Sequence, residues 1–174
     1  GVIGIDSTLN IPDFRSPERT FQLVTQVAGR AGRGKKKGYV IIQTHQPEHY
    51  AIQCATQHDF DNFIDQEASF RSDLLYPPFC ELTNIILSCT NEIQLKKYAS
   101  SCKSIIAKFP FSDHVQILGP SPAPIEKIRN HFRWRILIKH FKTDDDAVRK
   151  LLDALPKPSH ELRLITDFTP VQLL

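Results

Sequence analysis

Runs of apolar residues, broken by proline and glycine, divide the chain into two stretches of different rhythm. The opening Gly1-Val2-Ile3-Gly4-Ile5-Asp6 predicts a buried strand over Val2 to Ile5. Ser7 to Phe14 carries polar and proline punctuation and predicts a loop. A helix follows from about Pro17 to Arg33. Ser16 is placed to cap it, Pro17 suits its first turn, and Glu18 lies near its positive dipole end; Gly32 and Gly34 offer the stop. Tyr39 to Thr44 is apolar and β-branched and predicts a second strand. From Ala51 to about Arg71 one helix is expected. Ile52, Ala55, Phe60, Phe63, Ile64, Ala68 and Phe70 form its apolar side, and Asp59, Asp61, Asp65 and Glu67 its solvated face. Tyr76-Pro77-Pro78-Phe79 stops any helix and is read as a domain boundary, with a first domain over 1–77 and a second over 78–174.

The second stretch alternates more regularly. Strands are expected over 80–89, 115–118, 132–139 and 161–168, and helices over 92–109 and 144–155. Ile93, Tyr98, Cys102, Ile105, Ile106 and Phe109 would form the apolar side of the first of these helices. Gly119-Pro120-Ser121-Pro122-Ala123-Pro124 is expected to end the second strand. The order β-α-β-β-α-β predicts a ferredoxin-like domain: a four-stranded antiparallel sheet with two helices on one face and the other face open to a partner. The first stretch, strand-helix-strand, predicts α/β architecture.

Candidate chemistry sits at two places. At about 100° per residue, Gln26, Arg30 and Arg33 fall on one helical stripe, while Val24, Val27, Ala28 and Ala31 fall on the opposite face. Gly29 adds no bulk beside the arginines, so a ligand could approach the backbone. Paired guanidiniums on a rigid element suit a polyphosphate; arginines that merely face solvent at a helix end are the alternative. Lys35-Lys36-Lys37 forms a basic turn, either solvated or in contact with phosphate. The other place is a basic strand. Lys127, Arg129, His131, Arg133, Arg135, Lys139 and Lys142 cluster there, with Phe132 and Trp134 interleaved. Alternation puts Arg133 and Arg135 on one face and Phe132, Trp134 and Ile136 on the other. Guanidiniums contact phosphates and exposed aromatics stack on bases. A core Trp134 with solvated arginines is the competing reading.

Composition changes this picture little. At 174 residues, 41% hydrophobic and 24% charged, the chain has an ordinary globular make-up, and its net charge of +3 permits nucleic-acid binding without requiring it. Cys54, Cys80, Cys89 and Cys102 form no C-x-x-C pair, so no zinc site is read and reduced thiols are expected. His45 and His49 lack a third ligand nearby, and Pro47 breaks helical spacing, so a turn leading into the next helix is expected there rather than a metal site. No apolar run approaches the roughly 20 residues of a membrane span. The chain has no Met and opens on an apparent buried strand, which suggests a piece of a longer protein.

The spelling Gln26-Val27-Ala28-Gly29-Arg30-Ala31-Gly32-Arg33-Gly34 fits Q-x-x-G-R-x-x-R and resembles motif VI of superfamily 2 helicases. Together with the passage from Gln43 to His49, the Tyr76–Phe79 element, and Leu118–Pro124 followed by Arg133-Trp134-Arg135, it resembles the primosomal protein N′ (PriA) family of replication-restart helicases. The resemblance implies the closing part of a RecA-like lobe followed by the family's C-terminal domain. It implies an ATP-dependent 3′→5′ DNA helicase acting at abandoned replication forks. Gln26, Gly29, Arg30 and Arg33 would face ATP with Mg²⁺, with Arg30 and Arg33 catalytic. Lys35, Lys36, Lys37, Arg129, Arg133, Trp134 and Arg135 would face DNA or a partner. Expected partners are forked and single-stranded DNA, single-stranded DNA-binding protein and other primosome proteins, in the bacterial cytoplasm with the nucleoid. Zinc is expected only in an upstream region. The sequence holds no G-x-x-x-x-G-K-[S/T] loop and no acidic box, so this chain alone is expected not to hydrolyse ATP. A stand-alone nucleic-acid or protein-docking module without catalysis is the alternative, and a different superfamily 2 helicase with a ferredoxin-like domain is a weaker third.

Overall fold

The computed structural model describes residues 2–31, 39–170 and 173. The chain forms two compact units, Gly1–Leu74 and Leu75–Leu174.

The first unit is helical. It comprises α1 (Ile5–Leu9), α2 (Ser16–Ala31), α3 (Tyr50–Gln57) and α4 (Phe60–Asp73). Ile5, Leu9, Phe21, Val24, Ile52, Ala55 and Phe63 form its buried core, where the Phe21 and Phe63 rings stack at 4.2 Å. The expected opening strand is not formed: Gly4 adopts φ 75°, its carbonyl accepts from the Ser7 hydroxyl, and the chain turns into α1 at Ile5. What remains of the two expected strands is one parallel bridge, Val2 to Ile42, made by Val2 N–H to the Ile41 carbonyl and Gln43 N–H to that of Val2. Asp6 holds this region together by accepting from the Thr44 hydroxyl and the His45 N–H.

Ser16 is not a capping side chain. It is the first residue of α2, buried, and its hydroxyl donates to the Ile11 carbonyl. Asp13 instead accepts from the Arg15 N–H just before the helix. The stop expected at Gly32 and Gly34 lies outside the described residues. The single helix expected over 51–71 is two. His58 enters the left-handed region at φ 56° and ends α3, and the Asp59 carboxylate accepts from the Asn62 N–H to start α4. The break rotates α4, so Phe60, Ile64 and Phe70, expected on the apolar side, are exposed while Glu67 is buried.

The second unit is α+β. Its elements are β1 (Glu81–Cys89), α5 (Glu92–Ile106), β2 (Gln116–Ile128), β3 (His131–His140), α6 (Asp145–Ala154) and β4 (Leu162–Phe168), with a 3-10 turn at Lys142–Asp144. The strands form one sheet in the order β2-β3-β1-β4, every neighbour antiparallel. Each helix carries the chain across one intervening strand, the split β-α-β arrangement. Ile85, Leu87, Cys89, Ile136 and Ile138 point to one side of the sheet and bury against Leu95, Ala99 and Cys102 of α5 and Val148 and Leu151 of α6. The carboxamide of Asn91 starts α5 by accepting from Ile93 and Gln94 N–H. Ile93, expected on the apolar side of α5, is exposed.

The second strand does not end at Gly119. β2 continues through the proline-rich segment to Ile128, with register shifts after Leu118 and after Pro122. An edge strand tolerates this because one of its sides carries no ladder. Gly119 has φ 98°, and a Cβ there would lie 2.4 Å from the Arg135 carbonyl oxygen, so only glycine fits. β2 and β3 then join through Arg129-Asn130 at φ 46° and 64°, a two-residue turn of the I′ kind whose twist suits a hairpin.

Candidate nucleic-acid interface

The face of the sheet away from the helices carries the densest functional chemistry. Alternation along three adjacent strands stacks it in rows. One row is Arg133–Ser88–Arg163, the next Arg135–Ile86–Ile165, and the third Leu137–Asn84–Asp167, reading β3, β1, β4 each time. Arg133 and Arg163 thus flank Ser88, their Cα atoms about 10 Å apart at the usual strand spacing. Asn84, Ile86, Ser88, Ile128, Arg129, His131, Arg133, Arg163, Ile165 and Asp167 line an open concavity of about 430 Å³. One end of this concavity is cationic, its middle is apolar, and its far end offers oxygen acceptors. Asn84 is only 3% exposed, and its Oδ1 has no hydrogen-bond partner.

The basic residues expected to act together are separated by the fold. Arg133 donates to the Ile125 carbonyl at 3.3 Å, from the concave face. Arg135 is half-buried and donates from Nη1 to the Leu173 carbonyl at 2.7 Å; burial pulls its pKa down. Lys139 is buried with its ammonium 3.8 Å from the centre of the Tyr76 ring, and burial lowers its pKa as well. Lys127 sits over the Phe132 ring at 4.4 Å. Arg129 lies exposed in the hairpin turn. Trp134, with Phe132, packs against the helix-side core, on the opposite face from the arginines.

At the end of α2, Gln26, Gly29 and Arg30 are exposed while Val24 is buried. A Cβ at Gly29 would meet no described atom within 4 Å outside its own stretch of helix. Arg33, Lys35, Lys36 and Lys37 lie outside the described residues. His49 caps α3, its Nδ1 accepting from the Ala51 N–H. No group of three or more metal-ligating side chains occurs among the described residues. All four cysteines are free and buried. No described helix is long and apolar enough to cross a membrane.

Residues 72–171, which include all four strands and both helices of the sheet unit, match the family described as Primosomal protein N C-terminal domain. The chain belongs to this primosomal protein N family. The replication restart protein PriA of Bacillus subtilis is 43% identical over 142 residues, 80% of this chain. That of Synechocystis is 45% identical over 146 residues, also 80% of the chain, and that of Borreliella burgdorferi 33% identical over the whole of it. The chain spans 17% of the length of the first two relatives and 26% of the third.

The residues of the concavity that local sequence pattern does not single out are those brought in by strand register. Arg163, Ser88, Asn84, Ile86, Ile165 and Asp167 come from β1 and β4, far in sequence from the basic stretch. Alternation of Arg163, Ile165 and Asp167 along β4 is visible in the sequence, but its partner strand is not.

Proposed function

We propose that this chain is the C-terminal portion of an ATP-dependent 3′→5′ DNA helicase of replication restart, and that its second unit grips DNA at a fork. The observation that carries the DNA-binding reading is the Arg133–Ser88–Arg163 row. Two guanidiniums and a hydroxyl on a rigid sheet form a phosphate-binding surface, and phosphate contacts dominate DNA affinity. The names of the relatives support a role in replication restart.

The first unit is read as the closing part of a RecA-like lobe, supported by the parallel Val2–Ile42 bridge and the α2 motif. Gln26, Gly29, Arg30 and Arg33 would hold ATP with Mg²⁺ there. When bound, the nucleotide supplies the γ-phosphate whose cleavage drives translocation; Arg30 and Arg33 stabilise the negative charge that grows on it. A phosphate loop elsewhere in the intact protein would complete that site, and zinc would belong to that other region. Lys35, Lys36 and Lys37 would add phosphate contacts. Single-stranded DNA-binding protein and other primosome proteins are the proposed partners, in the cytoplasm at the nucleoid. A docking module without catalysis is the second reading, supported by the lack of a phosphate loop in these 174 residues.

Two measurements test this. The purified chain should not hydrolyse ATP, with or without DNA; measurable turnover contradicts the division of labour. It should bind labelled forked DNA more tightly than linear duplex; equal affinities contradict fork recognition by this part of the protein.

A further inference from the structure

Resting on the reading of the sheet unit as a DNA-binding surface, we infer that the concavity on its open face is a site for one unpaired nucleotide, recognised through a Watson–Crick donor. The order of groups along β1 carries this. The rows at Ser88, Ile86 and Asn84 succeed one another at two-residue steps, about 13 Å from first to last. Arg133 and Arg163 mark the anion-binding end, Ile86 and Ile165 the apolar floor, and Asn84 with Asp167 the far end.

A nucleotide has the matching sequence of groups: phosphate, flat ring, then a polar edge. The Oδ1 of Asn84 is a buried acceptor that lacks a donor. A buried acceptor left unmade is costly, and a ligand N–H removes that cost. Every base offers one on its pairing edge: N3–H of thymine, N1–H of guanine, and the exocyclic amines of adenine and cytosine. In duplex these donors are already used; in single strands they are free. The site therefore discriminates by strandedness rather than by sequence.

Charge complementarity selects a nucleotide over an acidic peptide as the occupant. Asp167 stands opposite Asn84 at the far end and repels carboxylates there, while a nucleotide brings its anion only to the arginine end.

The test uses the full chain and fluorescence anisotropy with three probes of equal length: oligothymidylate, the same oligomer built from N3-methylthymidine, and duplex. N3-methylation removes the donor and leaves phosphates and ring in place. The wild-type chain should bind oligothymidylate about tenfold more tightly than the methylated oligomer, the worth of one satisfied buried acceptor. Asn84→Leu should abolish that difference, and Arg163→Ala should weaken both oligomers. Equal binding of the two oligomers by the wild-type chain overturns the inference without any variant having to fold. Binding of forked DNA with no preference for the unmethylated strand overturns it while leaving the DNA-binding reading intact. Failure of every DNA probe overturns both. Arg163-dependent binding of an acidic peptide, with no oligomer bound, overturns the inference in favour of protein docking.

Discussion

Arg135 donates its Nη1 hydrogen to the carbonyl of Leu173 at 2.7 Å, so a guanidinium on the third strand ties down a residue 38 positions further along the chain. Arg133, two residues earlier on the same face, lines the open concavity and donates to the Ile125 carbonyl at 3.3 Å. Two arginines that look equivalent in sequence thus have different surroundings. Arg135→Ala should destabilise the second unit by about 1.5–3 kcal/mol, the range for a hydrogen bond to a charged group. Urea unfolding followed by Trp134 fluorescence measures it. A loss within about 0.5 kcal/mol of zero, the usual range for a surface substitution, contradicts this assignment.

Gly119 is the position where β2 passes closest to its neighbour. A side chain there meets both the Arg135 carbonyl oxygen and a positive φ. Gly119→Ala should therefore cost about 1–3 kcal/mol of stability, as for a strained backbone position. Hydrogen exchange should place the loss on the β2–β3 ladder, with faster exchange at Leu118 and Leu137. Wild-type stability in this variant contradicts the steric argument.

In the first unit, Arg71 bridges Glu67 at 2.6 Å and Glu18 at 2.9 Å, joining α4 to α2. Glu67 is buried, and its other carboxylate oxygen accepts from the Tyr50 hydroxyl. Removing the guanidinium leaves a buried carboxylate without its counter-charge. Arg71→Ala should cost about 3 kcal/mol, the low end for breaking a buried pair. Arg71→Lys should recover part of it. Amide exchange in α4 measures both.

Asp6 makes the first unit sensitive to acid. Its hydrogen bond from Thr44, more than any other contact, holds the carboxyl below its ordinary value of 3.8. A group whose folded pKa is depressed contributes stability above its unfolded pKa and loses it as the pH falls through the folded one. The stability difference between the native chain and Asp6→Asn should therefore be constant above about pH 5 and shrink as the pH drops below about 4. Denaturant melts across that range check it; a difference that grows on acidification contradicts it.

How much of the fold is legible in the sequence varies with the range of the interactions. The element order of the sheet unit is legible because alternation in 132–139 and 161–168 and periodicity in 92–109 are local signals. The extension of β2 through Pro120, Pro122 and Pro124 is not, because proline argues against a strand unless the strand lies at an edge, which is a tertiary fact. The opening run Val2 to Ile5 misleads for a similar reason. Apolar character marks burial but not backbone state, and Gly4 with Ser7 turns the chain into helix. His58 breaks the helix predicted over 51–71 by taking a left-handed conformation that no pattern of apolar residues signals. In the candidate site, Arg133 is legible from alternation. Its opposite number Arg163 and the buried acceptor of Asn84 are not, because only the register of β1 between β3 and β4 assembles them.

If the open face of the sheet binds nucleic acid through Arg133 and Arg163, the binding must be salt-dependent through those two side chains. The most direct test is the salt dependence of forked-DNA binding by the chain and by Arg133→Ala/Arg163→Ala. Removing one phosphate-binding side chain should reduce the slope of log affinity against log salt by about 1. The predicted result is a slope shallower by about 2 in the double variant, with weaker binding at low salt. An unchanged slope and affinity would contradict it and move any DNA contact elsewhere on the chain.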